Sequence, residues 1–129
     1  MTHTVQDLVA DARRRIEEVA PSPLAVGADA VVIDVREPAE YAQGHLPGAI
    51  NLPRGVLEFQ IHAHPAMACG TNDALAAPDR ELLLYCLTGG RSALAADSLR
   101  ALGFTRARSL AGGLTAWRNA GLPLATEPA

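Results

Sequence analysis

Cys86-Leu87-Thr88-Gly89-Gly90-Arg91 is the segment of this chain whose residue types and spacing could perform chemistry. The apolar run Leu82-Leu83-Leu84-Tyr85 before it reads as a buried strand, and the stretch from Ser92 to Arg100 after it reads as a helix. The cysteine therefore falls at the carboxyl end of a strand and the amino end of a helix. In open α/β sheets that crevice is where ligands bind. Backbone N–H groups there converge on anions. The same field stabilises a thiolate and makes a cysteine nucleophilic near neutral pH, so a depressed Cys86 pKa is expected. Gly89 and Gly90 let amides turn inward and leave room for a substrate. Thr88 offers a hydroxyl, and Arg91 closes the loop with a fixed positive charge. Ser92 reads as the cap of the helix rather than as a catalyst. Together these residues suggest a Cys86 thiolate that attacks and briefly holds an anionic, transferable group.

The flanking elements must position that loop. Thr4 to Val19 has helix chemistry, with Thr4 as the cap and Val5, Leu8, Val9, Ala12 and Ile16 at near-helical spacing. Pro21 and Pro23 end it. Arg13, Arg14 and Arg15, followed by Glu17 and Glu18, read as a solvated face of that helix. Ala30 to Val35 reads as a central strand with Asp34 near its end. A short helix follows from Pro38 to Gln43, then a turn from Gly44 to Gly48 and a short strand from Ala49 to Leu52. Arg54 to Arg80 reads as an excursion over one face of the sheet, opening with a helix from Val56 to Ile61. There Leu57 and Phe59 are expected to wall the pocket mouth and Arg54 to steer anions. Beyond the active loop, a helix runs from Arg91 to Leu102 and stops at Gly103. A last strand follows from Arg106 to Leu110, and Gly112-Gly113 opens a final helix through Leu114, Trp117 and Arg118. Strands alternating with helices predict an α/β fold: a central, mostly parallel sheet with helices on both faces.

Composition narrows the function classes. The 129 residues suit one domain, and a hydrophobic fraction of 49% is enough for a real core. A net charge of −3 argues against a nucleic-acid surface. No stretch approaches a membrane span, and no signal-like amino terminus is seen, so a cytoplasmic protein is expected. The two cysteines, Cys69 and Cys86, lack CxxC spacing, which fits a reducing compartment. His62, His64 and Cys69 have weak spacing for a metal, and neither metal nor cofactor is called for. Cys69 reads as an inert thiol, with a resolving role toward Cys86 as the alternative.

Several motifs in order carry a family resemblance: Val31-Val32-Ile33-Asp34-Val35-Arg36-Glu37, Glu40-Tyr41, and Gly44-His45-Leu46-Pro47-Gly48-Ala49-Ile50-Asn51. Tyr85-Cys86 through Arg91-Ser92 follows, and then Leu110-Ala111-Gly112-Gly113 with Trp117. Over about residues 30 to 123 the sequence resembles the single-domain rhodanese-like sulfurtransferases. The resemblance implies a rhodanese-like domain over residues 23–129, preceded by a helical extension over 1–22. It also implies that Cys86 takes sulfur from a small anionic donor, thiosulfate or a persulfide, and passes it to a thiol or cyanide-like acceptor. A protein acceptor is compatible with the same loop. Leu87, Thr88, Gly89, Gly90 and Arg91 would hold the substrate, with Asp34, Arg36 and Ser92 in support. Asp34 is expected to pair with Arg91, and Arg36 either to touch substrate or to pair with Glu40. His45, Tyr41 and Trp117 are expected to serve packing.

Loop length separates two branches of this fold. Four residues lie between Cys86 and Arg91. Phosphatases that share the fold show one more, which widens the cradle for a tetrahedral phosphate. The shorter loop resembles the sulfur-handling type. A redox or phosphatase-like cysteine enzyme and a non-catalytic regulatory binding module are the alternatives. An intact loop with its cysteine weighs against the last.

Overall fold

The structure is a computed structural model that describes residues 4–26, 30–61 and 80–126. Among the described residues ten elements follow one another: α1 (Val5–Arg13), β1 (Glu17–Val19), β2 (Val31–Asp34), α2 (Pro38–Ala42), β3 (Ile50–Asn51), α3 (Leu57–Gln60), β4 (Leu82–Tyr85), α4 (Gly90–Ala101), β5 (Ala107–Leu110) and α5 (Gly113–Asn119). The strands form one five-stranded sheet in the order β1-β5-β4-β2-β3. Every neighbouring pair is parallel.

Side chains alternate across a strand, so a parallel sheet covered on both faces needs apolar residues at successive positions. β2 and β4 are buried at all their positions, as that arrangement demands. Val31, Ile33, Leu82, Leu84 and Cys86 face one core, with Leu57 of α3 and Ala95, Ala96 and Leu99 of α4. Val32, Leu83, Tyr85 and Leu110 face the other, with Leu114 and Trp117 of α5 and Tyr41 of α2 packed against it. The Trp117 indole Nε1–H donates to the Pro123 carbonyl at 2.8 Å, which satisfies its one polar atom.

From β2 the chain moves outward to β3, then crosses to the other side of β2 to form β4 and continues to β5. The order of strands reverses between β2 and β4. The crevice beyond their carboxyl ends is the switch point at which such sheets bind ligands. β2 ends there at Asp34 and β4 at Tyr85, directly before Cys86.

The amino-terminal segment departs from expectation. Thr4 does cap α1: its Oγ1 accepts the Asp7 N–H at 3.1 Å while the Asp7 carboxylate accepts the Thr4 N–H at 2.9 Å. The helix then ends at Arg13, and Glu17–Val19 is a strand parallel to β5 at the sheet's edge, not further helix. The three arginines accordingly do not share one solvated helix face. Arg13 pairs with Glu18 at 3.2 Å. Arg15 reaches Asp97 of α4 through two bonds of 2.9 and 2.8 Å, and also Asp11 at 3.0 Å. That clamp, with buried Ala12, seats α1 on α4.

α3 also differs in detail. Leu57 is fully buried in the core and Phe59 is exposed, so these two residues do not form a common wall. Arg54 is engaged by Glu58 at 2.9 Å and by Ser98 at 3.1 Å, and it does not line the cleft at the sulfur. His62, His64 and Cys69 lie outside the described residues. No helix among the described residues is long and apolar enough to cross a membrane.

Candidate active site

Cys86 follows β4 with its side chain turned into the α4 face of the sheet and is almost wholly buried. Gly89 turns the chain with φ +106°, a left-handed conformation that a side chain would resist, and α4 begins at the next residue. The turn aims the Gly89 N–H back at the Cys86 Sγ, at 3.0 Å. The Ser92 hydroxyl lies 3.7 Å from the same sulfur, 3.2 Å from the Gly89 carbonyl and 2.8 Å from the Ser109 Oγ. Ser92 is thus in the first turn of α4 but is not its cap, which is Gly89. Its hydroxyl bridges the active loop to Ser109 of β5, a buried residue with no distinguishing signal in the sequence.

Asp34 and Arg36 form a buried network beneath this loop. The Arg36 guanidinium binds both Asp34 oxygens, at 3.0 and 2.7 Å, and donates to the Gly44 carbonyl at 2.6 Å. The Arg36 N–H also donates to Asp34, at 2.9 Å. The Tyr85 hydroxyl donates to Asp34 at 2.7 Å and accepts the Leu46 N–H at 3.0 Å. Burial first, and then the Asp34 charge, push the Tyr85 phenol far up, so it remains a donor. Asp34 therefore does not pair with Arg91, because Arg36, two residues on at the same strand end, already fills its carboxylate. Arg36 does not line the cleft at the sulfur, and it acts on Glu40 through its charge. Asp34 and Arg36 position Tyr85, and hence the start of the active loop.

Arg91 instead meets Glu40 of α2 in a two-pronged ion pair, at 2.9 and 3.1 Å. The Arg91 hydrogen bond holds the Glu40 carboxyl down at about 2, against an ordinary 4.5. Glu40 in turn raises Arg91 above its usual value, with the Cys86 sulfur adding to the effect. A depressed carboxylate contributes stability above its unfolded value and loses it as pH falls through its folded one. Glu40→Gln is accordingly expected to cost about 0.2–1 kcal/mol at neutral pH, since the pair is partly exposed. That gap from wild type should stay constant above pH 4.5 and close towards pH 2. Urea unfolding across that range checks it.

α5 closes the loop from its other side. The Leu114 N–H donates to the Cys86 carbonyl at 2.8 Å and the Thr115 N–H to the Leu87 carbonyl at 3.0 Å. The helix amino terminus thereby spends its unpaired donors on the active loop. Gly113 sits at the closest approach. A Cβ built there would stand 2.5 Å from the Cys86 carbonyl oxygen and 2.6 Å from that of Leu87. The Gly-Gly pair was legible in the sequence as a helix start, but not as a brace for the cysteine.

His45 is buried, stacked on Tyr41 with ring centroids 3.9 Å apart, and bridged through its backbone to Ala125. Its Nδ1 also lies 2.9 Å from the Leu46 carbonyl. The sulfur opens onto a cleft of about 420 Å³ lined by Thr88, Gly90, Arg91 and Leu94, and by Val5, Gln6, Val9 and Arg13 of α1. Sequence reasoning missed the contribution of α1. Leu87 lies outside that lining, on the side facing Arg36, Glu40 and Leu114.

The chain is similar to known proteins. Residues 16–120 match the model of the rhodanese-like domain family. A sulfurtransferase of Allochromatium vinosum is 35% identical over 96 residues, covering 74% of this chain and 78% of its own. The human thiosulfate:glutathione sulfurtransferase is 35% identical over 88 residues, covering 67% of this chain and 76% of its own. A solved structure from Rhodopseudomonas palustris, described as a protein of unknown function and possible tyrosine phosphatase, superposes with a TM-score of 0.78 at 30% identity. That alignment covers 97% of this chain and 96% of the other.

Proposed function

The chain belongs to the rhodanese-like domain family, and from that premise we propose that it is a sulfurtransferase carrying sulfane sulfur on Cys86. The observation that carries the reading is the Cys86 sulfur at the floor of an open cleft, with the Gly89 amide donating to it at 3.0 Å. An N–H aimed at the sulfur supports negative charge there during transfer, and a thiolate nucleophile needs no separate general base.

With thiosulfate as donor, the thiolate forms a bond to the outer sulfur. The donor's S–S bond breaks and its electron pair leaves on sulfite. Cys86 then holds a persulfide anion. An acceptor thiolate attacks that outer sulfur, takes it as a new persulfide and returns Cys86 as a thiolate. Charge and atoms balance in both steps. Gly89 and Ser92 stabilise charge on the Cys86 sulfur when it acts as leaving group. The human relative's name supports thiosulfate as donor and a small thiol as acceptor. A persulfide donor and a protein acceptor fit the same open cleft, and a cytoplasmic location fits an enzyme that depends on a free thiol.

The possible phosphatase among the structural relatives raises a second reading. Here the four residues between Cys86 and Arg91, and an Arg91 committed to Glu40, disfavour a phosphate cradle. The test measures sulfur transfer from thiosulfate to a thiol beside aryl phosphate hydrolysis. Transfer without hydrolysis above background is expected. Hydrolysis without transfer would reverse the assignment.

A further inference from the structure

We infer that α1 is a donor-selecting wall of the cleft and that Arg13 binds the distal anionic group of the sulfur donor. The inference rests on the sulfur-transfer reading of Cys86 and adds to it. The family match begins at residue 16, so this helix lies outside the region shared by the family as a whole.

Two arginines line the cleft, Arg91 and Arg13. Arg91 has both terminal nitrogens on Glu40. Arg13 pairs with Glu18 only through Nε, at 3.2 Å, and among the described residues its two terminal nitrogens carry no hydrogen bond. One of them, Nη2, stands 3.5 Å from where a Gly89 Cβ would be. Gly89 is the residue whose amide holds the Cys86 sulfur. Arg13, with its terminal nitrogens uncommitted, therefore reaches the active loop at Gly89, while Arg91 is held by Glu40.

A donor that presents its outer sulfur to Cys86 must carry its remaining charge away from the sulfur, toward the cleft opening. In thiosulfate that remainder is the sulfonate end, which departs as dianionic sulfite. Arg13 offers two N–H donors in a planar fork suited to such oxygens. Val5, Val9 and Leu94 add apolar surface beside the polar Gln6 and Thr88. The cleft therefore suits a compact donor with an anionic oxygen group and tolerates a small apolar substituent.

The helix is held firmly enough to act as a wall. Its capping box orders one end, and the Arg15–Asp97 clamp fixes the other to α4. Gly90 lies under Val9, with 3.6 Å between a built Cβ and the valine methyl.

The experiment compares wild type, Arg13→Gln, Arg13→Lys and Glu18→Gln with thiosulfate and with methanethiosulfonate. The second donor leaves as a singly charged sulfinate bearing a methyl group. Arg13→Gln is expected to raise KM for thiosulfate about fivefold, the effect of losing one partly exposed charge contact. KM for methanethiosulfonate should rise less, and kcat for both donors should change less than KM. Arg13→Lys should recover part of the loss. Glu18→Gln, which frees Arg13, should lower KM for thiosulfate. Equal falls in kcat for both donors, or an unaltered KM for thiosulfate in Arg13→Gln, would overturn the inference.

A second arm separates it from the sulfur-transfer reading. Thiosulfate binding to Cys86→Ser protein, with and without Arg13→Gln, is followed by calorimetry and does not need turnover. Weaker binding in the double variant supports the role of Arg13 even if no donor is turned over. Equal binding, or none in either protein, overturns it.

Discussion

Cys86→Ser is expected to abolish sulfur transfer to the level of the uncatalysed background while leaving the fold intact. Serine fits the site. Its hydroxyl can accept the Gly89 N–H that now meets sulfur at 3.0 Å, and it is smaller than the thiol, so the α4 face of the core is not overpacked. What it lacks is an accessible anionic form near neutral pH and a sulfur able to form and release an S–S bond. Turnover should therefore vanish with thiosulfate and with any persulfide donor alike. The urea unfolding midpoint should stay close to that of wild type. Residual transfer of more than a few per cent of wild type would mean that another group carries the sulfur.

Gly113→Ala is expected to have the next largest effect, although the residue touches no substrate. An added methyl would sit 2.5 and 2.6 Å from two backbone oxygens of the active loop, and no rotation of a side chain can relieve that overlap. Its φ of +61° also disfavours any residue with a Cβ. Either α5 withdraws or the loop moves. In both cases the Leu114 and Thr115 donors lose their alignment with the Cys86 and Leu87 carbonyls. A shift of the order of an ångström in a nucleophile costs about 10²-fold in rate. A fall in kcat/KM of roughly tenfold to a hundredfold is expected on that basis. A loss of about 1–3 kcal/mol in stability should accompany it. Gly121→Ala is the comparison, because its φ is similarly positive at +75° while nothing lies within 4 Å of a Cβ there. That variant should show the backbone strain alone and keep its transfer rate. Equal kinetic losses in the two variants would remove the bracing role of α5.

The sequence was most legible where burial on both sheet faces forces an uninterrupted apolar run. Leu82–Tyr85 is such a strand, and the core strand over Val31–Asp34 falls within its expected range. The two-sided sheet and the place of Cys86 at a strand end followed from those runs. Glu17–Val19 was illegible for the converse reason. It is an edge strand with both glutamates exposed, and two glutamates after an arginine run have the composition of a helix face.

Charge partners were harder to read, because residue type names a charge but not the direction of its side chain. Asp34 and Arg91 are both at the crevice, yet Asp34 turns down onto Arg36 and Tyr85, and Arg91 turns out to Glu40. Glu40 was visible in the Glu40-Tyr41 motif, but only as one of two alternatives for Arg36, the other being substrate. The docking of α1 had no local signal at all. It depends on Arg15 reaching Asp97, a contact 82 residues distant in the chain.

Intact mass after brief mixing with thiosulfate and desalting tests the central claim most directly. The account predicts a gain of one sulfur atom on wild-type protein, located by peptide mapping to Cys86, removed by a reducing thiol and absent from Cys86→Ser. No gain with thiosulfate or a small persulfide, or a gain that persists in Cys86→Ser, would contradict it.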